Sequence, residues 1–459
     1  MADLTPQTPD WWLSRLITEL GARQQRYSLL DRYLRSDPPL PPGPEKGVSK
    51  AFEYLRKRAR VNWADMIVEA LIERMSPIGV RTGIEGDADL DAEAWRIWEA
   101  NDLDCQATEL HRTKAALGDA YVIVGELDES IGAPRISMED PRQIVGEFDP
   151  VNRSELVAAL KVFIDDTANV DRAYLYLPGQ VFKASRPRAK SAKILQFTAR
   201  GWQWEVDEAG DPLPEVLSTD KMPVIWFPNR RDLLGRTLGE YEHVLDDLDR
   251  IILLVLQRLQ VAVLQAFRQR AVKGNLPEKD AEGNIIDYSV LFSNDPAALW
   301  SLPEGVEMWE SGSVDLTPIL ESIKADVREL AGRTRTPLYY LYPDAASGSA
   351  EGAVTQREGL IFKAGARIKE TSGPWERVLA RALEVQGMTP PPDMELLWTP
   401  PALATDAERY DAATKAKSAD VPWETVMSQV LMFGPQAIAR MKAERAALPA
   451  PDPVAGLSV

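Results

Sequence analysis

The chain has one cysteine, Cys105, and two histidines, His111 and His243, in 459 residues. A lone thiol closes no intrachain disulfide, so a reducing compartment is the natural setting. Two histidines leave almost no material for a histidine metal site or a Ser–His–Asp triad. Positive charge is also short: 53 Lys and Arg stand against 70 Asp and Glu, a formal charge of −17. That argues against sequence-independent gripping of a nucleic-acid backbone, which needs clustered cations. It is compatible with a wall past which a polyanion slides, because repulsion removes deep binding minima. Long apolar runs are missing: Ile251–Leu256 is flanked by Arg250, Gln257 and Arg258, so no membrane span is expected. Met1–Trp12 lacks the basic and apolar regions of a signal peptide, and none is expected. No G-x-x-x-x-G-K-[ST] loop occurs, so no ATP site is evident and no cofactor is expected.

What remains is ordinary for a soluble protein, 45% hydrophobic and 27% charged. The length suggests roughly two to four domains. Helical spacing of Trp11, Leu16, Leu20, Tyr27 and Leu30 predicts a helix over 10–35, stopped by Pro38–Pro39. Helices are also read at 49–58, 63–75, 87–103 and 104–118. Short strands follow at 80–84, 121–127, 135–139, 141–148, 156–164, 173–177, 180–184, 202–206 and 224–227, spaced as an antiparallel meander. The first half is therefore α+β.

From Gly239 the period becomes helical. Tyr241, Leu245, Leu248, Ile252, Val255, Leu259, Val263 and Phe267 step by three or four residues, predicting a helix from Gly239 to about Val272. Such a stripe packs either in the core of one globular domain or against neighbouring subunits. A helix of that length would span about 50 Å, more than a compact domain usually needs. A turn-rich insert, 273–313, suits a small α/β module. Thr317 and Pro318 open a second helix, read to Ala331. Lys324 and Arg328 share one of its faces, one turn apart; an ordinary solvated surface and a phosphate-facing wall are equally consistent with that spacing. Pro337 ends it, and 334–349 reads as a loop. A helix over 350–384 is expected to kink or break at Gly373–Pro374. A strand at 394–398, helices at 405–418, 422–432 and 436–446, and a disordered tail at 447–459 complete the reading.

Local motifs are weak. Gly348–Gly352 lacks the strand, helix and lysine of a nucleotide loop and reads as a turn with a helix cap. Asp87, Asp89 and Asp91 resemble half a calcium loop, but Ala92 stands where glycine is required. The basic group Arg56–Arg60 is either a phosphate patch or a solvated or intersubunit face.

Taken in order, other segments resemble the portal proteins of long-tailed double-stranded DNA bacteriophages. They are Tyr33–Pro41, Trp98–Asp104, Ala116–Val122, Asp140–Pro141, Phe148–Pro150, Gly235–Thr237, Thr334–Leu338 and Gly348–Gly352 ahead of a long helix. The resemblance implies an α+β portal fold: a wing (1–236), a first stem helix (237–272), a clip (273–313) and a second stem helix (314–333). A tunnel loop (334–349), a long kinked wing helix with a returning strand (350–400) and a short helical crown (401–446) would follow. It implies a homo-oligomeric ring, a dodecamer, in the virion at one capsid vertex, made in the host cytoplasm, through which double-stranded DNA is packaged and ejected. Implied partners are the terminase large subunit, head-completion or adaptor proteins, and the major capsid and scaffolding proteins. No catalysis by the chain itself is expected. The tunnel loop would carry Pro337, Tyr339, Tyr340, Asp344, Ser347, Gly348 and Ser349. Lys324 and Arg328 would be candidates to face DNA, and the Tyr241–Phe267 stripe would pack between subunits. The alternative is a capsid or head-connector protein with no DNA channel; an enzyme of unknown type is a third reading.

Overall fold

The computed structural model describes residues 5–42, 50–82, 88–188, 194–266, 270–274, 276, 278–279, 283, 285–288, 306–310, 312, 314–342, 350–402 and 405–447. In chain order the first helices are α1 (Pro9–Leu34), α2 (Lys50–Arg58) and α3 (Trp63–Ile72), then β1 (Pro77–Thr82), α4 (Ala88–Ala100) and α5 (Leu103–Leu117). Nine strands follow: β2 (Asp119–Asp128), β3 (Ala133–Glu139), β4 (Ile144–Phe148), β5 (Leu156–Asp165), β6 (Val170–Leu177), β7 (Gln180–Pro187), β8 (Gln203–Trp204), β9 (Pro214–Val216) and β10 (Val224–Pro228). Next come α6 (Leu245–Ala266), β11 (Arg270–Lys273), β12 (Glu307–Glu310), α7 (Thr317–Thr334), α8 (Leu338–Leu341) and α9 (Ala350–Val385). The last elements are β13 (Met394–Trp398), α10 (Asp406–Ser418), a short turn of helix with a π turn over Trp423–Val430, and α11 (Pro435–Ala447). The chain is α+β.

The chain divides into two units. The larger holds 1–35, 63–243 and 334–459; the smaller holds 36–62 and 244–333. In the larger unit every strand pairing is antiparallel, in three sheets: β1 with β13, β10-β2-β3, and β4-β5-β6-β7-β8 with β9 on β7. Thr8 caps α1 and Pro9 opens it, so its first turn is preset. Trp12, Leu16, Ile17 and Leu20 of α1 then pack on Val145, Leu160, Val162 and Leu175 of the long sheet. A second core joins α4, α5, β2, β10 and α9 around Trp98, Trp375 and Phe227, whose rings meet edge-on or tilted at about 5 Å. In the smaller unit, β11 and β12 form an antiparallel pair.

Several expectations are corrected. The first long helix is shorter at both ends. A 3₁₀ turn, Glu242–Val244, precedes α6, and α6 stops by Ala266, because Arg270–Lys273 pairs as a strand with Glu307–Glu310. One helical turn, Leu338–Leu341, forms within the predicted loop once Pro337 has set an extended entry. Gly373–Pro374 does not break α9, which runs 36 residues with Pro374 inside. Proline removes only its own N–H, and the Thr371 and Ser372 hydroxyls bond to the Arg367 and Ile368 carbonyls one turn back. Residues 36–62, read with the N-terminal part, cluster with 244–333 instead.

Candidate functional site

The helical stripe read after Gly239 is split by the fold. Tyr241 is fully buried and its hydroxyl donates to the Leu30 carbonyl at 2.8 Å. Leu248, Ile252 and Val255 are buried too, Leu245 and Leu259 are half-buried, and Val263 is 40% exposed. Phe267 lies outside the described residues. A side chain already buried in its own chain offers no surface to a neighbour. For Tyr241, Leu248, Ile252 and Val255 the packing expected between subunits is corrected to core packing.

In the smaller unit α6 and α7 are locked by charge. Arg250 reaches Asp326 at 3.2 Å, Asp247 at 3.3 Å and Glu329 at 3.4 Å, and Arg333 also pairs with Asp247. Asp247 is nearly inaccessible, so its charge needs both guanidiniums. Ile323, Val327 and Leu330 are the buried side of α7. Lys324 and Arg328 lie on its exposed side. Lys324 Nζ sits 2.9 Å from Glu321 Oε1. The Glu321 carboxyl is held below its usual range by that hydrogen bond and by the charge of Lys324, with a smaller pull from Arg328. This face is therefore cationic but partly neutralised.

After α7, Arg335 adopts a positive φ of 53° and Thr334 donates to Thr336 at 3.0 Å, which turns the chain sharply. Pro337 is buried and Tyr339 and Tyr340 are half-buried, their rings stacked 5.0 Å apart. Tyr340 Oη donates to Glu73 Oε2 at 3.2 Å, and the Tyr342 and Trp63 rings are 6.1 Å apart. The two tyrosines thus sit on the body of the larger unit. Asp344, Ser347, Gly348 and Ser349 lie outside the described residues.

Sequence reasoning missed a buried charge cluster at the segment leading into α6. Glu240 is 2% exposed. Its carboxylate meets Arg367 Nε at 2.5 Å, Lys363 Nζ at 3.1 Å and Asn229 Nδ2 at 3.0 Å. Lys363 also donates to the Thr334 carbonyl at 3.0 Å, so one ammonium holds both the approach to α6 and the end of α7. Burial would raise the Glu240 carboxyl, but Lys363 and Arg367 hold it down at about 2. The main chain is fixed as tightly. The Glu240 N–H donates to the Ala115 carbonyl at 2.7 Å, and a Cβ on Gly239 would stand 2.4 Å from the Ala116 oxygen. Arg26 of α1 pairs with Glu242 at 2.7 Å and reaches the Thr237 carbonyl at 2.9 Å. Nearby, Lys114 is buried against the Thr371 hydroxyl, and burial pushes its ammonium down to about 8. His111 accepts from Trp375 Nε1 at 3.0 Å, and burial pushes its imidazole down to about 3. Lys363 and Arg367, four apart on a helix, read in sequence as a solvated face; only Gly239, a glycine directly before a long helix, hinted at a close approach.

Among the described residues no group of three or more His, Cys, Asp and Glu is placed to hold a metal ion, and no helix is long and apolar enough to cross a membrane.

The sequence matches the family model described as phage portal protein, SPP1 Gp6-like, over residues 13–448. The portal protein of Mycobacterium phage D29 is 26% identical over 393 residues, covering 80% of this chain and 75% of that one. The portal protein of Mycobacterium phage L5 is 26% identical over 391 residues, covering 80% and 74%.

Proposed function

The chain belongs to the SPP1 Gp6-like family of phage portal proteins, and on that premise we propose that its copies close a ring around an axial channel at one capsid vertex, through which double-stranded DNA enters and leaves. The family match over nearly the whole chain carries this reading. The work is geometric and electrostatic rather than catalytic. A ring needs heterologous, head-to-tail contacts between copies. With Tyr241, Leu248, Ile252 and Val255 committed to the chain's own core, half-buried Leu245 and Leu259 and exposed Val263 are the stripe residues left for such a contact. The exposed side of α7 is the proposed channel wall. The net charge of −17 keeps phosphate from settling, while Lys324 and Arg328 give weak, exchangeable contacts.

The segment 334–349 is proposed as the tunnel loop. Pro337, Tyr339 and Tyr340 form its anchored base, and Asp344, Ser347, Gly348 and Ser349 are assigned to the part nearer DNA. Residues 273–313 are the proposed clip, the docking surface for the terminase large subunit and later for head-completion proteins. ATP hydrolysis belongs to the partner motor. Major capsid and scaffolding proteins would surround the ring, whose expected copy number is twelve.

The test is packaging by particles carrying Lys324→Glu together with Arg328→Glu, and by particles deleted across Ala345–Gly348. Packaging rates or DNA retention that change, in rings of unaltered mass, support the reading. Unchanged packaging and retention would remove both elements from the channel. A purified ring without an axial hole wide enough for a duplex would favour a head-connector protein that never meets DNA.

A further inference from the structure

The chain makes a detour just before α6. Asn229 and Leu238 bond to each other across its base: the Leu238 N–H donates to the Asn229 carbonyl at 3.1 Å, and Asn229 Nδ2 donates to the Leu238 carbonyl at 2.8 Å. The intervening residues, 230–237, leave and return without extending any helix or strand. Their tip is nevertheless built with care. Asp232 Oδ1 accepts the N–H groups of Leu234 at 2.8 Å and Arg236 at 2.9 Å, and the Asp232 N–H donates to the Arg236 carbonyl at 2.9 Å. Gly235 supplies the positive φ, 82°, that closes the turn. What this turn displays is apolar: Leu233 is 96% exposed and Leu234 70%.

A second turn adds to the display. Asp149 Oδ1 accepts from Val151 at 2.7 Å and Asn152 at 2.8 Å, leaving Val151 93% exposed. The two turns are cross-tied: Arg153 Nη1 donates to the Leu233 carbonyl at 2.6 Å, and Arg231 Nη2 to the Arg153 carbonyl at 2.9 Å. Single exposed leucines need no explanation, but three aliphatic side chains held outward on cross-tied turns form a pre-organised knob.

Two observations choose its occupant. Both aspartates of the turns face inward, onto backbone N–H groups, while Arg236, 75% exposed, flanks the leucines. An apolar knob with an arginine beside it fits a surface rich in carboxylates, and a chain of charge −17 is such a surface. The base of the detour also runs directly into Gly239–Glu242, the lead-in to the helix whose exposed remainder the ring reading already assigns to a neighbour. We propose that the knob of Val151, Leu233 and Leu234 seats on an acidic face of a second copy of this chain, forming one half of a head-to-tail contact. This rests on the ring reading.

The experiment uses the full-length protein and the triple variant Val151→Ser, Leu233→Ser and Leu234→Ser. All three side chains are solvent-exposed, so circular dichroism of the variant subunit should match wild type and loss of folding should not intervene. Native mass spectrometry and dilution light scattering then follow the assembly. The expected result is that the variant ring falls apart at a protein concentration at least about tenfold higher than wild type. A ring of unchanged mass and unchanged dissociation midpoint overturns the proposal while leaving the ring reading intact. Unchanged rings that no longer enter capsid precursors overturn it in favour of a capsid-side partner. A wild-type protein that forms no ring at all sinks the ring reading, and the neighbouring copy with it.

Discussion

Replacing Glu240 with glutamine keeps the shape of the side chain and removes its charge. Lys363 and Arg367 then stay buried without a carboxylate, and Lys363 keeps only the Thr334 carbonyl. Two routes give the cost. The Glu240 carboxyl is depressed from 4.5 to about 2, and at about 1.4 kcal/mol per pH unit that is about 3 kcal/mol at neutral pH. Breaking one partner of a buried ion pair typically costs about 3–5 kcal/mol. The sign with pH follows from the depressed value. The stabilisation is complete above 4.5, where the unfolded carboxyl is also ionised, and is lost as pH falls from there through about 2. The assay is denaturant unfolding of wild type and Glu240→Gln, followed by tryptophan fluorescence, at pH 7 and at steps down to pH 3. The variant should lose about 3 kcal/mol at pH 7 and show a shallower acid limb. Adding Lys363→Met to Glu240→Gln should recover part of the loss, since it removes a stranded cation. A loss under about 1 kcal/mol at pH 7, or a double variant whose losses simply add, would refute the view that Glu240 holds this junction by charge.

Other outcomes follow from the same region. His111 stays neutral in the fold down to about 3, against 6.5 in solution, so stability is fully present above 6.5 and declines as pH falls toward 3; His111→Gln should flatten the slope between pH 6.5 and 4.5, a window above that of Glu240. Lys114 carries its charge into a fully buried site with Thr371 as its hydrogen-bond partner; Lys114→Met should raise the unfolding midpoint by about 1–3 kcal/mol at pH 7, and a fall would count against the assignment. A methyl on Gly239 would meet the Ala116 carbonyl oxygen, so Gly239→Ala should destabilise by about 1–3 kcal/mol in thermal melts. Arg250→Ala leaves Asp247 with Arg333 alone among its printed partners and should lower the protection of α6 amides in hydrogen exchange while sparing those of β5 and β6.

Periodicity made much of this fold legible. The Trp11–Leu30 spacing marked α1, and short strands at regular intervals marked the antiparallel meander, because a buried face imposes its period on the sequence. The ends of α6 were not legible. Its apolar stripe runs on toward Phe267, but pairing of Arg270–Lys273 with a strand almost forty residues later decides where the helix gives way. Pro374 misled for a related reason: the rule for proline weighs the lost hydrogen bond, and buried Trp375, Val378 and Leu379 outweigh it. Lys324 and Arg328 were placed on a solvated face by spacing alone, and there they lie. Glu240 left no trace, because its partners come from a helix more than a hundred residues away and a lone glutamate in an acidic chain is unremarkable until the fold surrounds it.

The smaller unit is assembled from two pieces of sequence, and this orders events during synthesis. Its first piece, 36–62, leaves the ribosome with nothing to pair with, and all of 63–243 must follow before 244–333 arrives. Through that interval α2 carries its apolar side uncovered, a window in which a nascent chain is open to chaperones or to wrong partners. The larger unit waits too, since α9 and β13 complete its central core only near the end of translation. Both halves of the molecule therefore close late and together, so a truncated product would finish neither of them.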